Sequence, residues 1–84
     1  MSISALIVDD EELARENLAM LLTEHCPEVD VIGRASSVKD ARIFLKDNDP
    51  EVIFLDIRMP SGAEGFDLLP DLSNKKSLVV FVTA

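Results

Sequence analysis

The chain has 84 residues, of which 48% are hydrophobic, and a net charge of -8 at pH 7. A chain of this length forms one domain at most, and its composition is typical of a globular protein rather than a disordered or fibrous one. The excess of acidic residues opposes non-specific binding to nucleic acid and to anionic lipid. Cys26 has no second cysteine to pair with, which favours a reducing compartment. Because no basic segment precedes the first apolar run, secretion and membrane insertion are disfavoured and we expect a cytoplasmic protein.

Three short apolar runs predict strands of a parallel sheet that is covered on both faces. They span residues 5–8, 52–55 and 78–82 and show no alternation with polar residues. The segment 29–35 mixes apolar and polar positions and contains Gly33. This mixture indicates a strand with less cover, at the edge of the sheet.

A first helix is predicted from about residue 11 to residue 25. Asp10 is a candidate N-cap, and Pro27 prevents the helix from continuing. The predicted apolar stripe consists of Leu13, Leu18, Leu21 and Leu22.

A second helix is predicted over residues 38–47, because Ser37 and Asp40 have the spacing of a capping box. Its inner face is formed by Val38, Ala41 and Leu45. A third, shorter helix is expected to begin near Gly65, with Pro70 in its first turns or at a kink. Its apolar positions are Phe66, Leu69 and Leu72.

The alternation of strands and helices predicts an α/β fold, a flavodoxin-like doubly wound parallel sheet with the strand order 2-1-3-4. In this plan the fourth strand is internal, yet no further strand is found before Ala84. An apolar strand with one unpaired edge is a template for another chain. We therefore expect one of two situations. Either the chain is truncated after the fourth strand, or a partner, such as a second copy in a homo-oligomer, pairs with the open edge of that strand.

Acidic residues end two strands that the predicted fold places side by side. Asp9 and Asp10 follow the first strand, and Asp56 follows the third. Three converging carboxylates repel one another and should raise the pKa of at least one of them until a hard cation such as Mg²⁺ binds. Asp56 is then a candidate nucleophile that forms an aspartyl phosphate. In the alternative interpretation Asp10 caps the helix and the other two are solvated, but an acid pair together with a lone acid favours a site.

Four segments resemble the receiver domains of two-component response regulators. They are residues 6–11, 49–60, 65–69 and 80–84. The resemblance covers the whole chain and implies a CheY-like fold in which Asp56 accepts a phosphoryl group from a histidine kinase. It further implies that Asp9 and Asp10 hold Mg²⁺ directly or through water, with Asp56 as a further ligand. The backbone carbonyl of Arg58 would complete the metal shell, and Thr83 would contact the phosphoryl group as a switch.

The chain departs from the receiver pattern in two places. The family's fifth strand, its Lys followed by Pro, and its last two helices would all lie beyond Ala84, so residues 1–84 are expected to be the N-terminal portion of a receiver. Without that Lys, phosphorylation should be slow or absent. The stretch 61–64 also lengthens a loop beside the site.

The Asp9-Asp10-Glu11 opening and residues 66–69 resemble regulators that carry a LytTR-type output domain. In that case DNA would be bound by the output domain and not by this segment.

Two classes of function remain open for the chain. The first is a phosphorylation-controlled signalling module, not an enzyme, and the second is a fragment that oligomerises through its fourth strand and does not signal. A phosphatase of the haloacid-dehalogenase type is disfavoured. Such enzymes have a second Asp two residues after the nucleophile, and Arg58 occupies that position here.

His25 is interpreted as a residue at a helix end rather than a phosphotransfer histidine. The pair Lys75-Lys76 is expected in an exposed turn at the opposite end of the sheet from the acids.

Overall fold

In a computed structural model, residues 2–56, 68–72 and 75–82 are described, and they contain a four-stranded parallel sheet. The strands are β1 (Ile3–Val8), β2 (Val29–Ala35), β3 (Val52–Asp56) and β4 (Leu78–Val82). The helices are α1 (Glu12–His25) and α2 (Val38–Asp47), and a 3-10 helix covers Leu69–Leu72. The strand order is β2-β1-β3-β4, which confirms the predicted doubly wound α/β fold. In these described ranges no helix is long and apolar enough to cross a membrane.

The central position of β1 explains why its sequence is apolar without interruption. Four consecutive residues from Ala5 to Val8 are buried, because helices cover both faces of the strand. The edge strand β2 instead alternates between half-buried and exposed residues, as predicted from its mixed composition. Its ladder with β1 shifts register between Ala5 and Leu6, where Ile32 is the extra residue of a bulge.

The α2 side of the sheet holds the larger part of the core. Ser37 is the N-cap of α2, and its hydroxyl accepts a hydrogen bond of 3.1 Å from the backbone N–H of Asp40. This confirms the predicted cap. The predicted inner face is also confirmed, since Val38, Ala41 and Leu45 are all buried.

Close packing of α2 against β2 depends on Gly33. A Cβ atom at this position would lie 2.5 Å from Cε1 of Phe44, closer than nonbonded carbon atoms approach. The absence of a side chain at Gly33 therefore allows the Phe44 ring to lie directly on the edge strand.

The details of α1 differ from the sequence prediction. The N-cap is Glu11 rather than Asp10, and no side chain caps the helix there. Leu13 and Leu21 are 69% and 50% exposed, whereas Ala19 and Leu22 are buried. The reason is that α1 packs on β1 and β2, so that only its side facing those two strands is covered.

The short segment before β4 completes the α2 side of the core. Leu68 and Leu72 are buried there, and the described residues 69–72 form a single 3-10 turn that includes Pro70. The start of the predicted third helix, near Gly65 and Phe66, lies outside the described residues. β4 itself is less covered than β1, as Leu78 is 63% exposed.

Candidate functional site

Three carboxylates meet at the carboxyl edge of the sheet. Asp9 and Asp10 directly follow β1, and Asp56 is the last residue of the neighbouring strand β3. Val8 is in register with Leu55, so the two strands end at the same level. One oxygen from each of the three carboxylates lies within 4.8 Å of the other two. The structure thus brings together the acids that the sequence predicted to converge.

The backbone around Asp9 is held from three sides. Its N–H donates to the carbonyl oxygen of Ala35 in β2 at 3.0 Å. Its carboxylate oxygen Oδ1 accepts a 2.9 Å hydrogen bond from the N–H of Glu11. Its carbonyl oxygen accepts a 2.7 Å hydrogen bond from Nη1 of Arg15 in α1. The turn between β1 and α1 is therefore fixed by both neighbouring elements.

The electrostatics of the cluster favour protonation of Asp9. Burial raises the pKa of the Asp9 carboxyl most, and the Glu11 N–H partly lowers it again. The negative charge of Asp56, a hydrogen bond shared with that carboxyl, and the charge of Asp10 each raise the pKa further. The predicted repulsion between the acids is thus present in the described structure.

A cation fits this cluster because one of its oxygens has no hydrogen-bond donor among the described residues. Within the described part of the chain, Oδ1 of Asp10 is the buried side-chain oxygen or nitrogen without a hydrogen-bond partner. Such atoms are rare and call for an explanation. Asp56 is also buried, with 8% of its surface exposed. Closely spaced carboxylate oxygens are the donors that Mg²⁺ prefers, so the residues present match this ion.

An open pocket of about 640 Å³ gives access to the carboxylates. Asp9, Asp56 and Val82 line one side of it, and α1 supplies the other. The residues from α1 and its N-cap that line it are Glu11, Ala14, Asn17, Leu18 and Leu21. Leu21, which was predicted to be in the core, is therefore a wall of this pocket.

Two of the predicted site residues cannot be placed in the same way, because Arg58 and Thr83 lie outside the described residues. One contributor was missed by the sequence analysis, namely Arg15. The signal that could have found it is a cation on the first turn of the helix that follows the acid pair. His25 is the last residue of α1, as expected, and Lys75 precedes β4 at the opposite edge from the acids. The exposure predicted for the lysine pair holds for Lys76 only, because the Lys75 side chain is 23% exposed and pairs with Asp49.

The fold and site together define a class of protein, a doubly wound α/β domain with an acidic pocket where the strand order reverses. The sequence pattern of the response regulator receiver domain family matches residues 5–84. The chain therefore belongs to the response regulator receiver domain family, and it is a component of two-component signalling.

Relatives and solved structures agree with this assignment. The chain is 43% identical over 81 residues to the sensory transduction protein LytT of Enterococcus faecalis, covering 94% of this chain and 33% of LytT. It is 45% identical over 84 residues to a response regulatory protein of Vibrio cholerae, covering 98% of this chain and 34% of the relative. The REC domain of the response regulator PhyR from Erythrobacter litoralis superimposes with a TM-score of 0.83 at 28% identity, covering 99% of this chain and 64% of that one.

The chain spans about a third of the length of the curated relatives it matches. The name LytT agrees with the predicted likeness to regulators of the LytTR group.

Proposed function

We propose that residues 1–84 are the N-terminal portion of a receiver domain that accepts a phosphoryl group on Asp56 from a histidine kinase. The observation that carries this proposal is the group of three carboxylates within 4.8 Å of one another beside an open pocket. The chain is then a cytoplasmic signalling domain rather than an enzyme with a substrate of its own. Any DNA binding belongs to an attached output domain.

Asp56 is the residue best placed to act as the nucleophile. It ends a buried strand and lines the pocket, so a phosphoryl donor can approach its carboxylate from solvent. An Asp56 oxygen forms the new bond to phosphorus while the bond between phosphorus and the donor's histidine nitrogen breaks. The imidazole leaves with the electron pair of the broken bond, and the product is an aspartyl phosphate.

Asp9 and Asp10, together with the nucleophile Asp56, are the proposed metal ligands. The unpartnered oxygen of Asp10 and the raised pKa of Asp9 both support a cation between them. Bound Mg²⁺ would neutralise negative charge on the phosphoryl oxygens. The receiver pattern adds the backbone carbonyl of Arg58 as a further ligand and Thr83 as the residue that contacts the phosphoryl group.

Intact-mass spectrometry after incubation with acetyl phosphate and Mg²⁺ tests the proposal. We expect a labile phosphate adduct that forms slowly on the native chain, and none on Asp56→Asn or in the presence of EDTA. Asp49→Asn is the matched control, because it removes the same charge at the opposite edge of the sheet, where Asp49 is 83% exposed. An adduct that persists in Asp56→Asn, or that forms equally without metal, contradicts the proposal.

A second candidate function is self-association through β4, and the exposure of its side chains favours it. Leu78 is 63% exposed and Val80 37%, although both are apolar. A second copy of the chain that pairs with this strand would cover them. Light scattering over a concentration series measures the association. Leu78→Lys should abolish it, whereas Leu13→Lys on α1, where Leu13 is 69% exposed, should not. A chain that is monomeric at every concentration rules out this candidate.

A further inference from the structure

We infer that Arg15 is a positioning residue for the metal site and acts through the backbone of Asp9. This inference rests on the proposed function, because it assigns a role to Arg15 only if the three carboxylates hold a cation. Arg15 itself contributes no oxygen to the cluster. Its guanidinium donates a 2.7 Å hydrogen bond to the Asp9 carbonyl oxygen, and this contact is partly buried.

The Asp9 carbonyl is a point from which the orientation of Asp10 can be controlled. This oxygen belongs to the peptide unit that joins Asp9 to Asp10, and peptide units are planar and rigid. A donor that fixes the oxygen therefore also fixes the direction in which the chain enters Asp10. The side chain that follows carries the buried Oδ1, which has no hydrogen-bond partner in the described part of the chain. Arg15 thus determines where the unsatisfied ligand oxygen lies.

The other contacts at the turn act on different groups. Ala35 binds the N–H of Asp9, and Glu11 binds its carboxylate, so neither one holds the peptide plane between the two acids. Among the described residues, it is the Arg15 side chain that donates to this carbonyl. The planar guanidinium suits this role, since it presents several donors in a fixed geometry.

The positioning role and simple charge repulsion predict opposite changes in metal affinity when Arg15 is replaced. A positive charge close to a cation site repels the cation, so removal of the Arg15 charge alone should strengthen metal binding. Loss of positioning should weaken it, because the ligand oxygens are no longer held in place for the ion. The sign of the change in affinity therefore separates the two explanations.

Arg34 provides a matched control for the charge. It lies in the edge strand β2 and lines the same polar pocket of about 270 Å³ as Arg15. Its side chain is not the donor to the Asp9 carbonyl. Arg34→Met removes a positive charge from this region and leaves the hydrogen bond from Arg15 in place.

Mn²⁺ binding, measured from the EPR signal of the free ion, is the primary readout. The chain has no Trp or Tyr, so intrinsic fluorescence is unsuited to the measurement. Arg15→Met should raise the dissociation constant for Mn²⁺ roughly tenfold, as is typical when the partner of a metal ligand is removed. Arg34→Met should leave the constant unchanged or lower it. Circular dichroism verifies that both variants are folded.

The dependence of phosphorylation on Mg²⁺ gives a second readout that a general loss of structure would not reproduce. For Arg15→Met the Mg²⁺ concentration at half-maximal phosphorylation by acetyl phosphate should rise roughly tenfold, whereas the rate at saturating Mg²⁺ should be retained. A damaged fold would lower the rate at saturation instead.

The results distinguish a wrong role for Arg15 from a wrong function. If Arg15→Met binds Mn²⁺ as tightly as the native chain or more tightly, while Asp56 still takes a phosphate, the inference is overturned and the proposed function stands. If the native chain binds no Mn²⁺, both are overturned. Should Arg15→Met fail to fold, Arg15→Ala replaces it: this variant also lacks both the charge and the donor, and an affinity equal to or tighter than that of the native chain then overturns the inference.

Discussion

Polar side chains at the two edges of the sheet differ in whether they are paired with groups of the protein. At the amino edge the polar groups have partners: Nζ of Lys75 lies 2.5 Å from Oδ1 of Asp49, and Oγ of Ser77 donates to the Pro50 carbonyl at 2.5 Å. At the carboxyl edge three carboxylates face one another, and Oδ1 of Asp10 has no hydrogen-bond partner among the described residues. The polar groups named at the amino edge are therefore paired with one another, whereas the carboxylates at the carboxyl edge repel one another.

This contrast separates residues that maintain the fold from residues that are available for chemistry. The amino-edge contacts join the segments that precede β3 and β4, so their partners are in the protein itself. At the carboxyl edge like charges lie close together, and Oδ1 of Asp10 has no hydrogen-bond partner among the described residues, which is typical of a functional site. Pocket volume alone does not distinguish the functional edge from the other one. The amino edge also has a pocket, of about 470 Å³, which is lined by paired residues such as Asp49 and Lys75.

The largest predicted effect is the stabilisation of the carboxyl edge by metal. At about 100 times its dissociation constant, Mg²⁺ should raise the free energy of unfolding of the native chain by about 2.7 kcal/mol. Each kcal/mol corresponds to a shift of about 4–8 °C in Tm for a domain of this size. Asp10→Asn should abolish this gain, because Asp10 supplies the unpartnered oxygen. Thermal unfolding with and without MgCl2 measures it.

Asp49→Asn is the control for that experiment, since it removes one negative charge from the amino edge. It should respond to Mg²⁺ as the native chain does. An equal loss of the Mg²⁺ effect in Asp10→Asn and Asp49→Asn would mean that the ion acts on the overall negative charge, and the contrast between the two edges would then be lost.

The second largest predicted effect concerns a hydrogen bond at the amino edge. Ser77→Ala should lower the free energy of unfolding by about 1 kcal/mol, because the buried Pro50 then loses the hydroxyl that donates to its carbonyl. Urea denaturation measures the change. Ser36→Ala is the control, as its hydroxyl bonds to the exposed carboxylate of Asp40, and its effect should stay within about 0.5 kcal/mol. Comparable losses in both variants would show that burial of the partner is not decisive.

The sequence predicted those elements whose signals are local. Ser37 with Asp40 identified the start of α2, and the predicted inner residues of that helix are buried. The spacing of leucines in α1 was less informative, because it cannot show on which strands the helix lies. Leu13 is exposed and the small Ala19 is buried, since the short side chain faces the sheet.

The candidate site was predictable as far as it depends on strand ends. Asp9, Asp10 and Asp56 could be placed together because parallel neighbouring strands end at one edge, and the order of strands follows from the alternation of elements. Arg15 was missed because it binds a backbone carbonyl, which no residue type marks in a sequence, and its place on the first helical turn after the acid pair was the one signal available. The roles of Arg58 and Thr83 remain predictions.

A smaller effect is expected from the ion pair at the amino edge. The pair of Lys75 and Asp49 is short, but the Asp49 side chain is 83% exposed. Solvent and salt screen such pairs, so their coupling energy should be less than about 0.5 kcal/mol. A double-mutant cycle with Lys75→Met and Asp49→Asn measures it, in low and in high salt. A coupling of several kcal/mol that persists in high salt would contradict the assignment of this pair as a solvated contact.

The smallest effect, and the one that addresses the conflict among the acids directly, is the pH dependence contributed by Asp9. Its pKa is raised in the folded chain, so the native state holds this proton more tightly than the unfolded state does. The resulting contribution to stability is complete below the ordinary carboxyl pKa of about 4, and it is lost as the pH rises through the raised value. The effect is small because Asp9 is only half-buried and solvent screens its charge.

Urea denaturation of the native chain and Asp9→Asn in EDTA, at several pH values from about 4 upwards, measures this contribution as the difference between the two. The native chain should lose stability relative to Asp9→Asn as the pH rises. With saturating Mg²⁺ the sign should reverse, because the metal binds the ionised carboxylate and competes with the proton. Parallel pH profiles in EDTA would show that the three carboxylates tolerate one another without a cation, and the carboxyl edge would then be no more in conflict than the amino edge.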